Sequence, residues 1–198
     1  MPIGTASTKT PATSVFLSSD GNATFDKLYV HAASQYGGAD AGIYGVVGSP
    51  TGTADIWHAT LTFKTPVSYL GFWWSAADPG NYFTLYSGKQ AVVSMNDQTL
   101  IDALGPCAGG KNPYCGNPNN GQDKKELFVY VNIYDKGGAG FTSASFDQRA
   151  WGGFEFDSLL YNTADPDPIP EPATWSLIGL GLAATGVITR LRPWLRRS

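Results

Sequence analysis

The sequence predicts an all-β domain, an antiparallel β-sandwich of jelly-roll type. About eight short stretches with strand patterns follow one another closely, turns rich in Gly and Pro separate them, and no helical period lies between them. The 198 residues include 24 Gly and 13 Pro, and 13% of the chain is aromatic. This composition fits a turn-rich β domain better than a helical one. No repeat of roughly 20–50 residues is visible, which argues against a propeller or a solenoid.

The first strands are predicted at residues 23–31, around 43–47 and at 55–64. The third stretch alternates most clearly between apolar and polar side chains, which is the period of a half-buried strand. Its two faces carry Trp57, Ala59, Leu61 and Phe63 on one side and His58, Thr60, Thr62 and Lys64 on the other. We expect Thr65 and Pro66 to end this strand.

The next strands are predicted at residues 67–75, 82–86 and 91–95, with turns at 76–81 and 87–88. Pro79 and Gly80 stand where a β-turn favours them. Residues 96–104 are predicted as a short helix or turn, opened by Asn96 or Asp97 as N-cap. The last strands are predicted at residues 126–134, 141–146 and 151–160.

We expect the chain to divide into four parts. These are a poorly ordered N-terminus (residues 1–19), the β-sandwich (20–162), a linker rich in Pro and Asp (163–172), and an apolar helix with a basic tail (173–198). A domain of about 150 residues is large enough to bury a proper core. The linker has little helical or strand potential.

Charge is distributed unevenly along the chain. Residues 1–172 hold nine basic and 16 acidic side chains, a balance of −7, whereas the tail carries four arginines, a balance of +4. A mature protein this acidic repels phosphate backbones, so we expect no nucleic acid as a partner.

The end of the chain combines three elements in order: Pro170-Glu171-Pro172, an apolar run over residues 173–189, and a basic cluster. The run falls just short of the roughly 20 apolar residues that cross a bilayer. Snorkelling arginines and tryptophans at its ends can close the gap. The positive-inside rule keeps the basic cluster in the cytoplasm and places the preceding residues on the exported side. The cluster consists of Arg190, Arg192, Arg196 and Arg197, and the tryptophans are Trp175 and Trp194.

This order resembles the C-terminal sorting signal of PEP-CTERM proteins, which Gram-negative bacteria that make exopolysaccharide secrete. The resemblance implies that an exosortase, a membrane-embedded cysteine protease, recognises Pro170, Glu171 and Pro172 and removes the hydrophobic tail. The precursor is then expected in the inner membrane, and the mature protein at the cell surface or outside the cell. The alternatives are a permanent single-span anchor and a buried C-terminal helix, although four arginines around a terminal apolar helix suit no soluble core.

Two segments of the body, residues 69–88 and 146–157, resemble a group of exosortase-dependent surface proteins. The body of those proteins carries a Gly-Phe-Trp-Trp-Ser type of strand and has no assigned chemistry. Residues 1–19 depart from the pattern of an exported chain, because they contain no apolar run of the roughly 7–15 residues that a secretory signal needs. We therefore expect a misassigned start codon or a further N-terminal piece.

Cys107 and Cys115 are the only cysteines, and they lie in a segment too rich in Gly, Pro and Asn for strand or helix. Two thiols in one exposed loop of an exported protein are expected to form a disulfide. A disulfide that closes such a small ring adds about 2–3 kcal/mol to the stability of the folded state, mostly through local rigidity. The alternative is half of a zinc site, but His31 and His58 do not stand at a ligand spacing.

The search for enzymatic motifs is mostly negative. The sequence has no Gly-x-Ser-x-Gly elbow, no phosphate-binding glycine loop and no metal-binding histidine pair. A glycosidase needs two carboxyls about 5–10 Å apart across a cleft, a separation that sequence does not show. We therefore expect a non-catalytic surface or extracellular-matrix protein, with a secreted hydrolase as the less favoured alternative. The candidates for the carboxyl pair are Asp78, Asp147, Glu155 and Asp157.

Carbohydrate binding, with exopolysaccharide as the ligand, is the stronger alternative, because exposed aromatic rings stack on sugar faces. Of the adjacent Trp73 and Trp74, one must point inward and the other outward, since side chains alternate along a strand. No cofactor is expected, although the loop carboxylates Asp78 and Asp147 are candidates for a structural calcium site. The candidate stacking residues are Trp57, Trp73, Trp74 and Tyr82.

Overall fold

The computed structural model describes residues 7–16, 20–32, 43–49 and 56–163. These residues form ten strands and one helix, α1, which spans Asp97–Leu104. The first five strands are β1 (Ser7–Phe16), β2 (Ala23–Ala32), β3 (Ile43–Ser49), β4 (His58–Val67) and β5 (Tyr69–Ser75). The others are β6 (Asn81–Ser87), β7 (Gln90–Asn96), β8 (Val129–Tyr134), β9 (Phe141–Gln148) and β10 (Gly152–Asn162).

Hydrogen bonds join all ten strands into one antiparallel sheet. Nine of them follow the order β7-β6-β9-β4-β2-β3-β10-β5-β8, and β1 pairs with β2 beside this path. The predicted antiparallel all-β class is confirmed. The predicted division into the two sheets of a jelly-roll sandwich is not found in the described residues, because the pairing of β2 with both β3 and β4 makes the sheet continuous.

The sheet curls so that its two halves pack face to face. Strands β9 and β5 stand five places apart in the sheet order. Nevertheless, the ring centroids of Phe146 on β9 and Phe72 on β5 are 5.4 Å apart. Phe146 also contacts Phe25, Phe83 and Phe156, at centroid distances of 5.4, 5.1 and 4.5 Å. These buried rings form the centre of the core.

Strand β4 alternates as predicted, but Thr65 and Pro66 do not end it. The strand continues to Val67, and its register with β9 shifts between Thr62 and Val67. Asn22 satisfies the backbone at this irregularity. Its Oδ1 accepts the N–H of Thr65 at 2.7 Å, and its Nδ2 donates to the carbonyl of Thr65 at 3.3 Å.

Helix α1 confirms the predicted short helix and its cap. Asn96 is the N-cap, and its Oδ1 accepts the N–H of Thr99 at 2.9 Å. The hydroxyl of Thr99 accepts the N–H of Asn96 at 3.2 Å, which completes a capping box. Gly105 ends the helix with φ = 88°, a conformation that favours glycine.

The predicted disulfide between Cys107 and Cys115 is present, with a Cα–Cα distance of 5.5 Å. The segment that carries it is fastened to the sheet through residues 114–128. Phe128 donates its N–H to the carbonyl of Tyr114 at 2.8 Å, and the carbonyl of Leu127 accepts the N–H of Ala77 at 3.0 Å. This segment thereby covers the outer face of β5.

The structure tests the sequence predictions near the N-terminus but not those for the C-terminal end of the chain. Strand β1 lies N-terminal to residue 20, where we expected the ordered domain to begin. The chain divides into two units after residue 165, and all described residues belong to the first. The predicted linker beyond residue 163, the apolar helix and the basic tail lie outside the described residues. Within the described residues, no helix has the length and apolarity needed to cross a membrane.

We expect Phe146→Ala to lower the free energy of unfolding by about 3–5 kcal/mol, because it leaves a cavity between the two halves of the sheet. Urea denaturation followed by tryptophan fluorescence measures this change. Val92→Ala on β7, where the side chain is 43% exposed, is the control and is expected to change stability by less than about 0.5 kcal/mol. Equal stability of the two variants would contradict the role of Phe146 in closing the sheet.

Candidate functional site

Four strands place a row of polar and aromatic side chains on the outer face of one half of the sheet. Pairing aligns His58 of β4 with Asp147 of β9, Asp147 with Tyr82 of β6, and Tyr82 with Asn96 of β7. Directly paired residues point to the same face of a sheet. Phe146, the neighbour of Asp147 in the chain, is buried, so this row faces outward. With strands spaced about 4.8 Å apart, the row is about 14 Å long.

One end of the row is fixed by a hydrogen bond between His58 and Asp147. Nδ1 of His58 lies 2.7 Å from Oδ1 of Asp147, and Nε2 of His58 lies 3.0 Å from Oγ1 of Thr60. Oδ2 of Asp147 accepts the hydroxyl of Ser145 at 3.1 Å. Both oxygens of Asp147 therefore already have protein donors.

A cleft of about 470 Å³ lies next to this end of the row. Its lining includes two exposed indole rings, which we call its rims, with Trp57 44% exposed and Trp151 83% exposed. The other lining residues are Gln148, Arg149 and Ala150. The cleft thus combines two large apolar rings in contact with water and one cationic side chain.

The floor of the cleft is held by the backbone and by buried Gln148. The N–H of Gln148 donates to the carbonyl of Trp57 at 3.0 Å, and the N–H of Arg149 donates to the carbonyl of Gly80 at 2.8 Å. Oε1 of Gln148 accepts the N–H of Ala150 at 2.8 Å. Because these bonds join three separate segments of the chain, they fix the backbone on both rims.

Arg149 is held over the outer row. Its guanidinium carbon lies 4.1 Å from the centroid of the Tyr82 ring, a cation–π contact. Among the described residues, no carboxylate forms a salt bridge with Arg149. Its donors are available to a ligand.

The structure divides the predicted stacking residues into two groups. Trp57 and Tyr82 lie at or beside the cleft. Trp74 is 0% exposed and stacks on Phe154 at a centroid distance of 4.4 Å, so its predicted role in sugar stacking is wrong. Trp73 points to the opposite face, as strand alternation requires, but it packs against Phe128 under the segment that covers β5.

Two residues of the cleft, Arg149 and Trp151, did not appear among the sequence candidates. The strand pattern predicts Trp151 at the start of a strand, whereas Trp151 stands in the connection between β9 and β10. A tryptophan followed by Gly152 and Gly153 is a signal for an exposed turn. That signal would have placed Trp151 on the surface.

A second group of polar side chains lies where the β5–β6 connection meets β10. Glu155 is 2% exposed and, within the described residues, its Oε2 has no hydrogen-bond partner. Oδ2 of Asp78 accepts the N–H of Gly153 at 3.4 Å, and the Glu155 side chain also lies against Gly153. Glu126 approaches from the segment that covers β5 and adds a further carboxyl. We call Asp78, Glu126 and Glu155 the carboxyl cluster.

Burial is the main cause of raised pKa values in the carboxyl cluster. Together with the charges of Asp123 and Asp97, it raises the pKa of Asp78 to about 6. Together with the charges of Asp78 and Asp123, it raises the pKa of Glu126 to about 7. Burial, followed by the charges of these neighbours, raises the pKa of Glu155 well above its ordinary value.

The carboxyl candidates for metal binding and glycoside hydrolysis are not brought together in one open site. Asp147 bonds to His58 and Ser145, and Asp78 lies against Gly153. Among the described residues, no group of three or more His, Cys, Asp or Glu side chains is arranged to hold a metal ion. Glu155 is too deeply buried for a substrate to reach.

The family model of the PEP-CTERM protein-sorting motif matches residues 168–192. The chain carries a PEP-CTERM sorting motif. The match confirms the resemblance based on the order of the C-terminal elements. Comparisons with curated proteins and with solved structures give no match. The matched range contains Pro170, Glu171, Pro172, the apolar run, Arg190 and Arg192.

The PEP-CTERM motif implies processing by an exosortase and export to the surface or the extracellular medium. The motif lies outside the described residues, and Arg196 and Arg197 lie beyond the match as well. The carboxyl cluster and the aromatic cleft belong to the preceding body. Localisation and surface chemistry are therefore carried by different parts of the chain.

We expect the protein to lose stability as the pH rises above about 4, since the carboxyl cluster binds protons more tightly in the folded than in the unfolded state. The loss continues through about pH 6 and 7, where Asp78 and Glu126 ionise. Glu155→Gln removes one of these ionisations. We expect it to raise the melting temperature at pH 8 by several degrees, at about 2–4 °C per kcal/mol, and to reduce the pH slope.

Thermal unfolding between pH 4 and pH 8 measures this effect. Asp102→Asn is the matched control, because Asp102 is exposed on α1 and its carboxylate accepts the side-chain N–H of Gln98 at 2.7 Å. The melting temperature of the control is expected to depend on pH in the same way as that of the unmodified chain. An unchanged slope in Glu155→Gln would mean that Glu155 is not a source of the pH dependence.

Proposed function

We propose that the protein is an exported, non-catalytic component of the cell surface or extracellular matrix. The match to the PEP-CTERM motif at residues 168–192 supports this proposal most strongly. An exosortase recognises Pro170, Glu171 and Pro172 and removes the apolar tail. The mature protein is then released or remains at the surface.

In the proposed mechanism, the C-terminal segment holds the precursor at the membrane and presents the processing site to the protease. Before processing, the apolar run over residues 173–189 holds the precursor in the inner membrane, and the arginines that follow keep its end in the cytoplasm. The short segment over residues 163–172 is rich in Pro and Asp, which favours an extended and accessible chain. The protease therefore reaches the Pro-Glu-Pro site without unfolding the body.

Carbohydrate binding is a second candidate function. The observation that favours it is the pair of exposed indole rings, Trp57 and Trp151, on the two rims of one cleft. Large apolar side chains are usually scattered singly on the surface, and their grouping in a cleft is typical of binding sites. A surface or matrix protein that binds polysaccharide would be retained where the polymer is.

We expect Glu171→Gln to block processing, because it removes the only charge from the Pro-Glu-Pro site. Intact-mass spectrometry of protein recovered from the host's surface, medium and inner membrane measures this. The unmodified chain is expected to end near Pro172, or to carry an attached group there, whereas the variant keeps its full C-terminus in the membrane fraction.

Asp167→Asn is the matched control for this experiment. It removes a carboxylate four positions earlier in the chain, outside the matched motif. It is expected to be processed like the unmodified chain. A full-length C-terminus on the unmodified protein in the inner membrane would identify the tail as a permanent anchor and would overturn the proposal.

A further inference from the structure

We infer that the cleft between Trp57 and Trp151 binds an acidic polysaccharide, with a sugar ring stacked on the indoles and a sugar carboxylate held by Arg149. The inference rests on the second candidate function and names its ligand class and its binding residues. It does not depend on exosortase processing. Three features of the molecule support it: the exposed rings, the unpaired cation, and the shape of the adjoining surface.

The exposure of the two indoles is not explained by folding. Most aromatic rings of the described body are buried in the core, where they stabilise the curled sheet. Trp57 and Trp151 make no aromatic ring contact with any other residue in the described part of the chain. Their faces are free to stack on a flat, partly apolar ligand surface, such as the C–H face of a pyranose ring.

The backbone that carries the two rings is also held in place before a ligand arrives. Trp57 is fixed through its carbonyl, which accepts the N–H of Gln148 at 3.0 Å. Trp151 follows Ala150, whose N–H is bound by the buried side chain of Gln148 at 2.8 Å. A preorganised site loses less conformational entropy on binding than a flexible loop does.

Arg149 supplies the charge that selects an acidic ligand. Its guanidinium lies over the Tyr82 ring, and no carboxylate of the described residues pairs with it. The nearest acidic side chain along the chain, Asp147, is already bonded to His58 and Ser145. A planar guanidinium binds a carboxylate through two parallel hydrogen bonds, which makes a uronic acid the complementary sugar.

The positive charge of Arg149 acts on a ligand only at short range. Residues 1–172 have a balance of −7, which opposes a polyanion at distances beyond the local site. Attraction to an acidic polymer therefore comes from direct contact with Arg149 and from stacking, not from the field of the whole protein.

The surface next to the cleft suits a polymer more than a single sugar. The outer row from His58 to Asn96 continues across four strands for about 14 Å. It offers the hydroxyl of Tyr82 and the Nδ2 of Asn96, whose Oδ1 already caps α1, for hydrogen bonds to further sugar units. A polysaccharide chain that leaves the cleft along this row would contact several residues at once.

The test is affinity electrophoresis of the full chain, purified in mild detergent, through gels that contain polygalacturonate or alginate. Methyl-esterified polygalacturonate is the matched ligand control, since it keeps the sugar ring and loses the carboxylate charge. We expect retardation by the two acidic polymers and at least tenfold weaker retardation by the ester. Trp151→Ala and Arg149→Met should each weaken binding to the acidic polymers at least tenfold.

Arg149→Met keeps a long apolar side chain at this position, so it separates the charge of the arginine from its bulk. Tyr114→Ala is the protein control, because Tyr114 is an exposed aromatic residue in the disulfide segment and not in the cleft. It should bind like the unmodified chain. The inference is overturned if neither acidic polymer retards the full chain, or if Trp151→Ala and Arg149→Met bind as well as Tyr114→Ala. These outcomes leave the processing experiment unaffected.

Discussion

The curvature of the sheet depends on phenylalanine rings that meet across its two halves. Hydrogen bonds set the order of the strands, but a continuous ladder alone does not bring β9 against β5. The contacts of Phe146 with Phe72 and Phe156 do so, because burying these rings removes a large apolar area from water. Once the inner faces of the strands are fixed in this way, alternation decides which side chains face outward. The row from His58 to Asn96 and the rim at Trp57 are therefore consequences of the core.

The connection between β9 and β10 links the core with the cleft and with the carboxyl cluster. It follows Phe146 and Gln148, which belong to β9, and carries Arg149 and Trp151 at its exposed turn. It then leads into Gly152 and Gly153 at the start of β10. Gly152 has φ = +104°, and a Cβ at that position would collide with Oδ2 of Asp78. Only glycine therefore allows the carboxyl cluster to lie directly behind the turn that presents Trp151.

The sequence predicted those elements whose signals are local. The alternation over residues 58–64, the N-cap at Asn96 and the cysteine pair in one loop each involve neighbours in the chain, and the structure confirms them. Trp57, predicted on the apolar face of the same strand, lies before it and is exposed. The single curled sheet was not predicted, because the pairing of β2 with both β3 and β4 leaves no pattern in the sequence. Alternation required Trp73 and Trp74 to face opposite ways, but only the fold decides which one is buried. The burial of Glu155 likewise depends on a covering segment about 30 residues earlier in the chain.

The carboxyl cluster makes the fold sensitive to pH. Above about pH 7, Asp78 and Glu126 are ionised, and their partly buried charges weaken the fold. As the pH falls through about 7 and 6, protonation removes these charges and the folded state gains stability. A glutamine at position 155 would fill nearly the same volume without ionising, so the carboxyl adds pH sensitivity to this part of the fold and little to its packing.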